Sequence, residues 1–169
     1  MSSKPERAIP EIESIDPWFY RRTCAQFATG VTVVTTLDSE GHPHGMTVNS
    51  FSSVSLEPPL VLVGIDLRNA ILGHFISTSW FAINILAEHQ EELSRRFSSA
   101  SENRFHNLTW EEGIAGVPLL EGVLGRMECA VVRRFDAGDH AILVGEVKRA
   151  EYRDGRPLVF WDSSYQTLR

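Results

Sequence analysis

The spacing of hydrophobic and polar positions changes character at Gly30. Before it the period is helical. Asp16-Pro17 reads as an N-cap followed by proline at the first helical position. Phe19, Thr23 and Phe27 recur at every fourth position, and Tyr20, Cys24 and Ala28 form a second such row. Together they predict an amphipathic helix whose apolar face lies on a sheet and which Gly30 ends. From Val31 to Leu37 the chain is β-branched and strand-like. Asp38-Ser39-Glu40-Gly41 is a hairpin signal. Residues 45–50 and 51–56 continue as a kinked strand, which Glu57-Pro58-Pro59 is expected to stop. The continuous apolar run 60–65 predicts a buried strand. A helix over 71–76, a strand over 80–86 and a short polar helix over 88–97 follow. Residues 98–120 read as a long loop, a length that often marks function. Two long strands, 123–135 and 140–152, flank the turn 136–139, and a last strand covers 158–161.

Seven or eight strands with about three short helices and hairpin connections predict a mainly β fold. The expected architecture is an antiparallel split or closed β-barrel with helices at its rim. Strands and helices do not alternate, which argues against a doubly wound parallel sheet. Residues 1–15 read as a flexible leader and 16–169 as one domain.

Composition narrows the function classes. The chain has 169 residues, 43% hydrophobic and 22% charged, with a formal net charge of −6. No basic stripe supports a nucleic-acid partner. No apolar run approaches the about 20 residues of a membrane helix. The polar start carries no signal region, so a cytoplasmic protein is expected. Cys24 and Cys129 do not form a CxxC pair, and both are expected as reduced, buried thiols.

Chemistry-bearing residues are sparse. In the stretch 47–55 six of nine residues carry a hydroxyl or an amide. Such an edge either hydrogen-bonds a polar ligand, a flavin being one that fits, or is an exposed Ser/Thr-rich strand. Gly138-Asp139-His140 opens a strand after a turn, which places His140 either toward a substrate or incidentally in the turn. Arg95, Arg96 and Arg104 are each either phosphate partners or solvated. His42-Pro43-His44 puts two rings on one face of an extended chain. No further ligand is assigned to that pair, and no metal is expected. P-loop, GxGxxG and GxSxG motifs are absent, so a nicotinamide nucleotide would bind outside a Rossmann fold.

Taken in order, several segments resemble the small flavin reductase family, the reductase components of two-component flavin-dependent monooxygenases. They are 28–35, 45–59, 81–86, Arg104-Phe105, 113–118, 138–140, Pro157-Leu158 and Tyr165. The resemblance implies an FMN-binding type of split barrel and a homodimer with flavin sites near its interface. It implies hydride transfer from NADH or NADPH to FMN or FAD, and release of reduced flavin to a partner monooxygenase. It implies cofactor contacts from Thr29, Gly30, Val31, Thr32 and Val33, and from Thr47, Val48, Asn49, Ser50, Ser52, Ser53 and Ser55. Asn84, Arg104, Phe105 and Tyr165 are implied as well. Gly138, Asp139 and His140 are implied on the nicotinamide side, with His140 as the catalytic candidate. The family's Ser-x-Thr pair is replaced by Asn69 and Ile71, which leaves Asn69 and Arg68 as the expected phosphate partners. A flavoprotein oxidase or oxygenase on the same barrel, a non-catalytic flavin-binding domain and a plain interaction module remain alternatives.

Overall fold

The computed structural model describes residues 14–101 and 103–168. The expected leader over 1–15 falls almost wholly outside them. The elements are α1 Pro17–Cys24, β1 Thr29–Gly30, β2 Thr32–Leu37, β3 Pro43–Val48, β4 Ser52–Leu56, β5 Pro59–Asp66, α2 Leu72–Ser77, β6 Trp80–Ile85, α3 Glu91–Ser98, β7 Trp110–Glu112, β8 Pro118–Leu120, β9 Gly125–Ala137, β10 His140–Tyr152, β11 Val159–Trp161 and β12 Ser164–Gln166. The fold is mainly β and antiparallel, with a few short helices. Seven strands form one sheet in the order β3-β2-β6-β9-β10-β5-β4, and β1-β11-β12 and β7-β8 form two small ones. No helix among the described residues is long and apolar enough to cross a membrane.

The sheet curls around one apolar cluster. Val34 and Met46 from β2 and β3 meet Val63 and Ile65 from β5, at the other end of the strand order, with Phe75, Phe81, Ile83, Cys129 and Leu143 between them. β2 and β6 are buried on both faces, which accounts for their unbroken apolar and β-branched runs. On the opposite face Val31, Val33, Leu86, Phe97, Leu120, Val123 and Leu158 form a second cluster under α3. Gly145 belongs to the first layer. It lies where the β9–β10 register shifts, and a Cβ there would stand 2.5 Å from the Phe81 ring and 2.8 Å from Cys129 Cβ.

Five expectations are corrected. Cys24 is exposed, whereas Cys129 is buried as expected. Helix α1 ends at Cys24, not at Gly30. Thr29-Gly30 instead pairs with Val159-Phe160 as strand β1, because the main chain there finds sheet partners in β11. None of the α1 residues is buried, and Trp18, Phe19, Tyr20 and Phe27 are exposed, so its apolar face does not rest on this chain's sheet. Glu57-Pro58 does not stop pairing; it forms a tight turn in which Leu56 faces Pro59, joining β4 to β5. The expected long loop over 98–120 contains the β7–β8 hairpin.

A row of polar side chains explains that hairpin. Thr35 Oγ1 donates to the Pro118 carbonyl at 2.5 Å, and Asn84 Oδ1 accepts from the Leu120 N–H at 2.8 Å. Arg126, nearly fully buried, donates to the Leu120 carbonyl and pairs with Glu111 and Glu151. Glu128, equally buried, accepts from the Ile114 N–H and pairs with Arg149 at 3.2 Å. Asn84 stands opposite Arg126, and Ala82 opposite both Thr35 and Glu128, so the four polar groups share one face. The β7–β8 segment is strand-poor by composition, and these partners hold it on the sheet.

Three measurements follow from this packing. Asn84→Ala leaves the Leu120 N–H without an acceptor and should lower unfolding free energy by about 1–3 kcal/mol, read from a urea midpoint; an unchanged midpoint refutes the anchoring role. Gly145→Val overpacks the Phe81–Cys129 contact and should destabilise by about 1–3 kcal/mol or more in the same assay. Burial, with Glu128 adding, pushes the Cys129 thiol up to about 12. A thiol reagent at neutral pH should therefore leave Cys129 unmodified in the folded protein and react with it in urea.

Candidate functional site

The two edge strands of the main sheet, β3 and β4, are consecutive in sequence, and residues 49–51 link them across the end of β5. Ser50 secures the link. Its Oγ donates to the Gly64 carbonyl at 2.8 Å and accepts the Gly64 N–H at 3.0 Å. Gly64 neighbours both Ser50 and the His140 ring, each within ordinary contact distance of the place its Cβ would take. His140 opens β10 opposite Asp66, so Ser50, Gly64, Asp66 and His140 meet at one sheet end.

That end is charged and polar. His140 Nδ1 lies 2.7 Å from Asp139 Oδ1, and this contact holds the Asp139 carboxyl below its ordinary range. Gly138 has φ +64, the left-handed region that glycine enters without strain, and it makes the two-residue turn possible. Arg68 grips Asp66 through Nε at 3.0 Å and Nη2 at 2.7 Å. The Arg68 bonds, with the His140 charge a lesser cause, hold the Asp66 carboxyl well below the usual range, and Asp66 raises Arg68 in turn.

A second group of candidates surrounds a cavity of about 280 Å³ lined by Val31, Thr47, Val48, Asn49, Ser98, Phe160 and Tyr165. Thr47 Oγ1 donates to the Ser94 carbonyl at 2.6 Å, which ties β3 to α3. Ser94 Oγ lies 2.8 Å from Tyr165 Oη, and the Arg95 guanidinium sits 4.8 Å above the Tyr165 ring. Thr29 faces Phe160 across β1–β11, and its Oγ1 is the one buried side-chain polar atom without a partner among the described residues. Beside it Gly30 has open space where a side chain would stand. An orphaned hydroxyl next to an uncrowded backbone and a cavity with one aromatic wall fits a planar, hydrogen-bonding cofactor such as a flavin.

A third cavity, about 310 Å³, is lined by Pro43, His44, Gly45, Ala70, Ile71, His74, Ala100, Ser101, Arg104 and Phe105. Arg104 donates to the carbonyls of Gly45 and Ser99 through Nη1, Nε and Nη2, leaving two of its five N–H groups free for a ligand. Burial lowers the Arg104 pKa. Asn69 Oδ1 accepts the Ile71 N–H, so its carbonyl oxygen serves the turn before α2.

Several expected residues lie elsewhere. Asn84 is fully buried, with its amide donating to the Val33 carbonyl and to Thr35 and its carbonyl accepting from Leu120. Thr32 donates to the Val48 carbonyl, and the Val33 side chain is core. Ser52, Ser53 and Ser55 ride on β4, an edge strand that also exposes Val54 and Leu56. Phe105 packs edge-on to Phe97 and Trp110. Ser98 and Phe160 line the second cavity without having been among the candidates. Ser98 ends α3 and Phe160 lies on β11, so only the tertiary fold brings them to the 47–49 segment. Another cavity, about 670 Å³ near His89 and Glu121, holds Arg96 of the candidate arginines but none of the residues implied as cofactor contacts.

Comparisons with known proteins give the family. Residues 24–169 match the family described as flavin reductase like domain. The chain is 48% identical over 141 residues to the FMN reductase (NADH) SmoA of Agrobacterium fabrum, covering 83% of this chain and 80% of that protein. It is 38% identical over 154 residues to the flavin-dependent monooxygenase reductase subunit HsaB of Rhodococcus jostii, covering 90% and 78%. Among solved structures it resembles the Streptomyces globisporus NADH:FAD oxidoreductase SgcE6 in complex with NAD and FAD fragments. There the TM-score is 0.86 and identity 36%, over 94% of this chain and 98% of that one. With a family match from Cys24 to the last residue and relatives this similar along most of their length, the chain belongs to the flavin reductase family.

Proposed function

We propose that this protein is an NADH-dependent flavin reductase that reduces FMN or FAD and releases it to a separate monooxygenase component. The carrying observation is the cavity shared by Val31, Thr47, Val48, Asn49 and Tyr165, with the orphaned, buried Thr29 hydroxyl on the strand paired to the cavity-lining Phe160. These residues come from segments far apart in sequence that converge on one concave surface. A bound flavin supplies the ring that accepts hydride from the nicotinamide.

The chain's own residues bind and orient. Thr29, the 30–33 backbone and the 47–50 segment hold the flavin ring and its ribityl chain, with Tyr165 as an aromatic wall. Arg104 and Ser101 take the phosphate, in place of the missing Ser-x-Thr pair. His140, its ring oriented by Asp139, positions the nicotinamide at the sheet end beside Ser50. No nucleophile is required, in keeping with a site whose nearest titratable groups are paired with one another.

The proposal extends to architecture. The curled sheet is a split barrel whose opening lies between β3 and β4, bridged by Ser50. A homodimer covers α1, with Trp18, Phe19, Tyr20 and Phe27, and the edge strand β4, with Val54 and Leu56. Exposed aromatic and aliphatic groups of this size are otherwise unfavourable in water. A cytoplasmic location, where nicotinamide nucleotides are abundant, goes with this reading.

Mixing the protein with FMN or FAD and NADH should consume reduced-nicotinamide absorbance catalytically, NADPH being the comparison arm. Flavin should be lost on desalting. Flavin binding without nicotinamide oxidation, or flavin retained and reduced only by an organic substrate, refutes the reading. His140→Ala should raise KM for NADH by about ten-fold, the worth of one charge-assisted hydrogen bond, with a smaller change in kcat; an unchanged KM removes His140 from the nicotinamide site. Sedimentation should give a dimer that Phe27→Glu weakens.

A further inference from the structure

The hairpin between β2 and β3 and the helix α2 carry a cluster that flavin chemistry does not use. Asp38 Oδ1 accepts the backbone N–H groups of Glu40 at 2.9 Å and His42 at 2.8 Å. The carboxylate is thereby pinned in the turn, with Oδ2 directed at imidazoles. His44 Nε2 stands 3.1 Å and His42 Nδ1 3.2 Å from that oxygen. The His74 ring, brought by α2, stacks on His44 with centroids 3.7 Å apart and planes 12° apart. One donor atom from each of Asp38, His44 and His74 lies within 4.8 Å of the others, and all three residues are half-buried.

We propose that Asp38, His44 and His74 form a binding site for a late first-row divalent transition ion, Zn2+ being the best match. Two imidazole nitrogens and one carboxylate oxygen are a borderline donor set that suits such ions. Tetrahedral coordination at about 2.1 Å places donor atoms roughly 3.4 Å apart. To bind an ion the donors close to that spacing and the stacked rings turn about their χ angles so that their in-plane lone pairs converge. His44 and His74 also line the third cavity, which leaves the fourth coordination position open to solvent or an anion. The bound ion ties the hairpin to α2 and so stabilises the fold by mass action.

From the sequence the HxH pair is expected to hold no metal. Asp38 lies a few residues upstream, and His74 reaches the pair only through tertiary packing.

The test uses tag-free, chelator-treated protein. Titration with Zn2+ should show one saturable site and raise the unfolding temperature. His74→Ala and His44→Ala should each weaken binding by about ten-fold or more, whereas His89→Ala and His42→Ala should leave it within about two-fold. Should a variant unfold, one equivalent of Cu2+ on the unsubstituted protein decides. Electron paramagnetic resonance showing two imidazole nitrogens supports the site; one or none overturns it. Binding that survives His74→Ala, or the absence of any saturable site, overturns it as well.

Discussion

A buried hydrogen-bonding group must find a partner, and in this protein that constraint sorts the polar residues by role. Thr35, Asn84, Arg126 and Glu128 line one face of three neighbouring strands. Their free bonding capacity is met by the main chain of residues 114–120 and by Glu111, Arg149 and Glu151. The β7–β8 hairpin is thereby fixed on that face. Once these pairings are made, the buried side chain left without a partner among the described residues is Thr29, on the other small sheet. Under the proposed function, the cofactor supplies what the fold withholds.

The same constraint shapes the sheet opening. β3 and β4 do not pair with each other, and their link would be loose without Ser50, which satisfies both polar groups of Gly64. That clip places the polar 47–55 segment and the His140 turn at a common end of the sheet. On the phosphate side of the proposed site few donors remain. Asn69 is committed to its own turn, and Arg104 has most of its donors engaged. A flavin held chiefly by its ring and ribityl chain, with a thin phosphate grip, is one that exchanges readily, as the proposed delivery to an oxygenase requires.

Apolar surface follows a parallel logic. Helix α1 has the pattern of a packing helix yet finds no face among the described residues of its own chain, and β4 exposes Val54 and Leu56. The proposed second copy resolves both, and it explains why an amphipathic pattern overstates what a single chain buries.

Local pattern was enough to read much of the fold. Val31 to Leu37, Leu60 to Ile65, Trp80 to Leu86 and the two long strands around Gly138 were legible because side-chain period and turn chemistry act over a few residues. The order of short motifs also carried the family. Tertiary structure alone decided the rest. Gly30 became a strand residue because β11 offered its main chain a partner. Asn84 became a structural anchor because Leu120 presented an unpaired N–H across the sheet. The 110–120 segment became a hairpin because buried side chains on β2, β6 and β9 received it. Asp38 and His74 met because α2 packs against the β2–β3 hairpin. Each outcome turns on a partner distant in sequence, and satisfaction of a buried polar group is a property of the folded neighbourhood that local spacing does not contain.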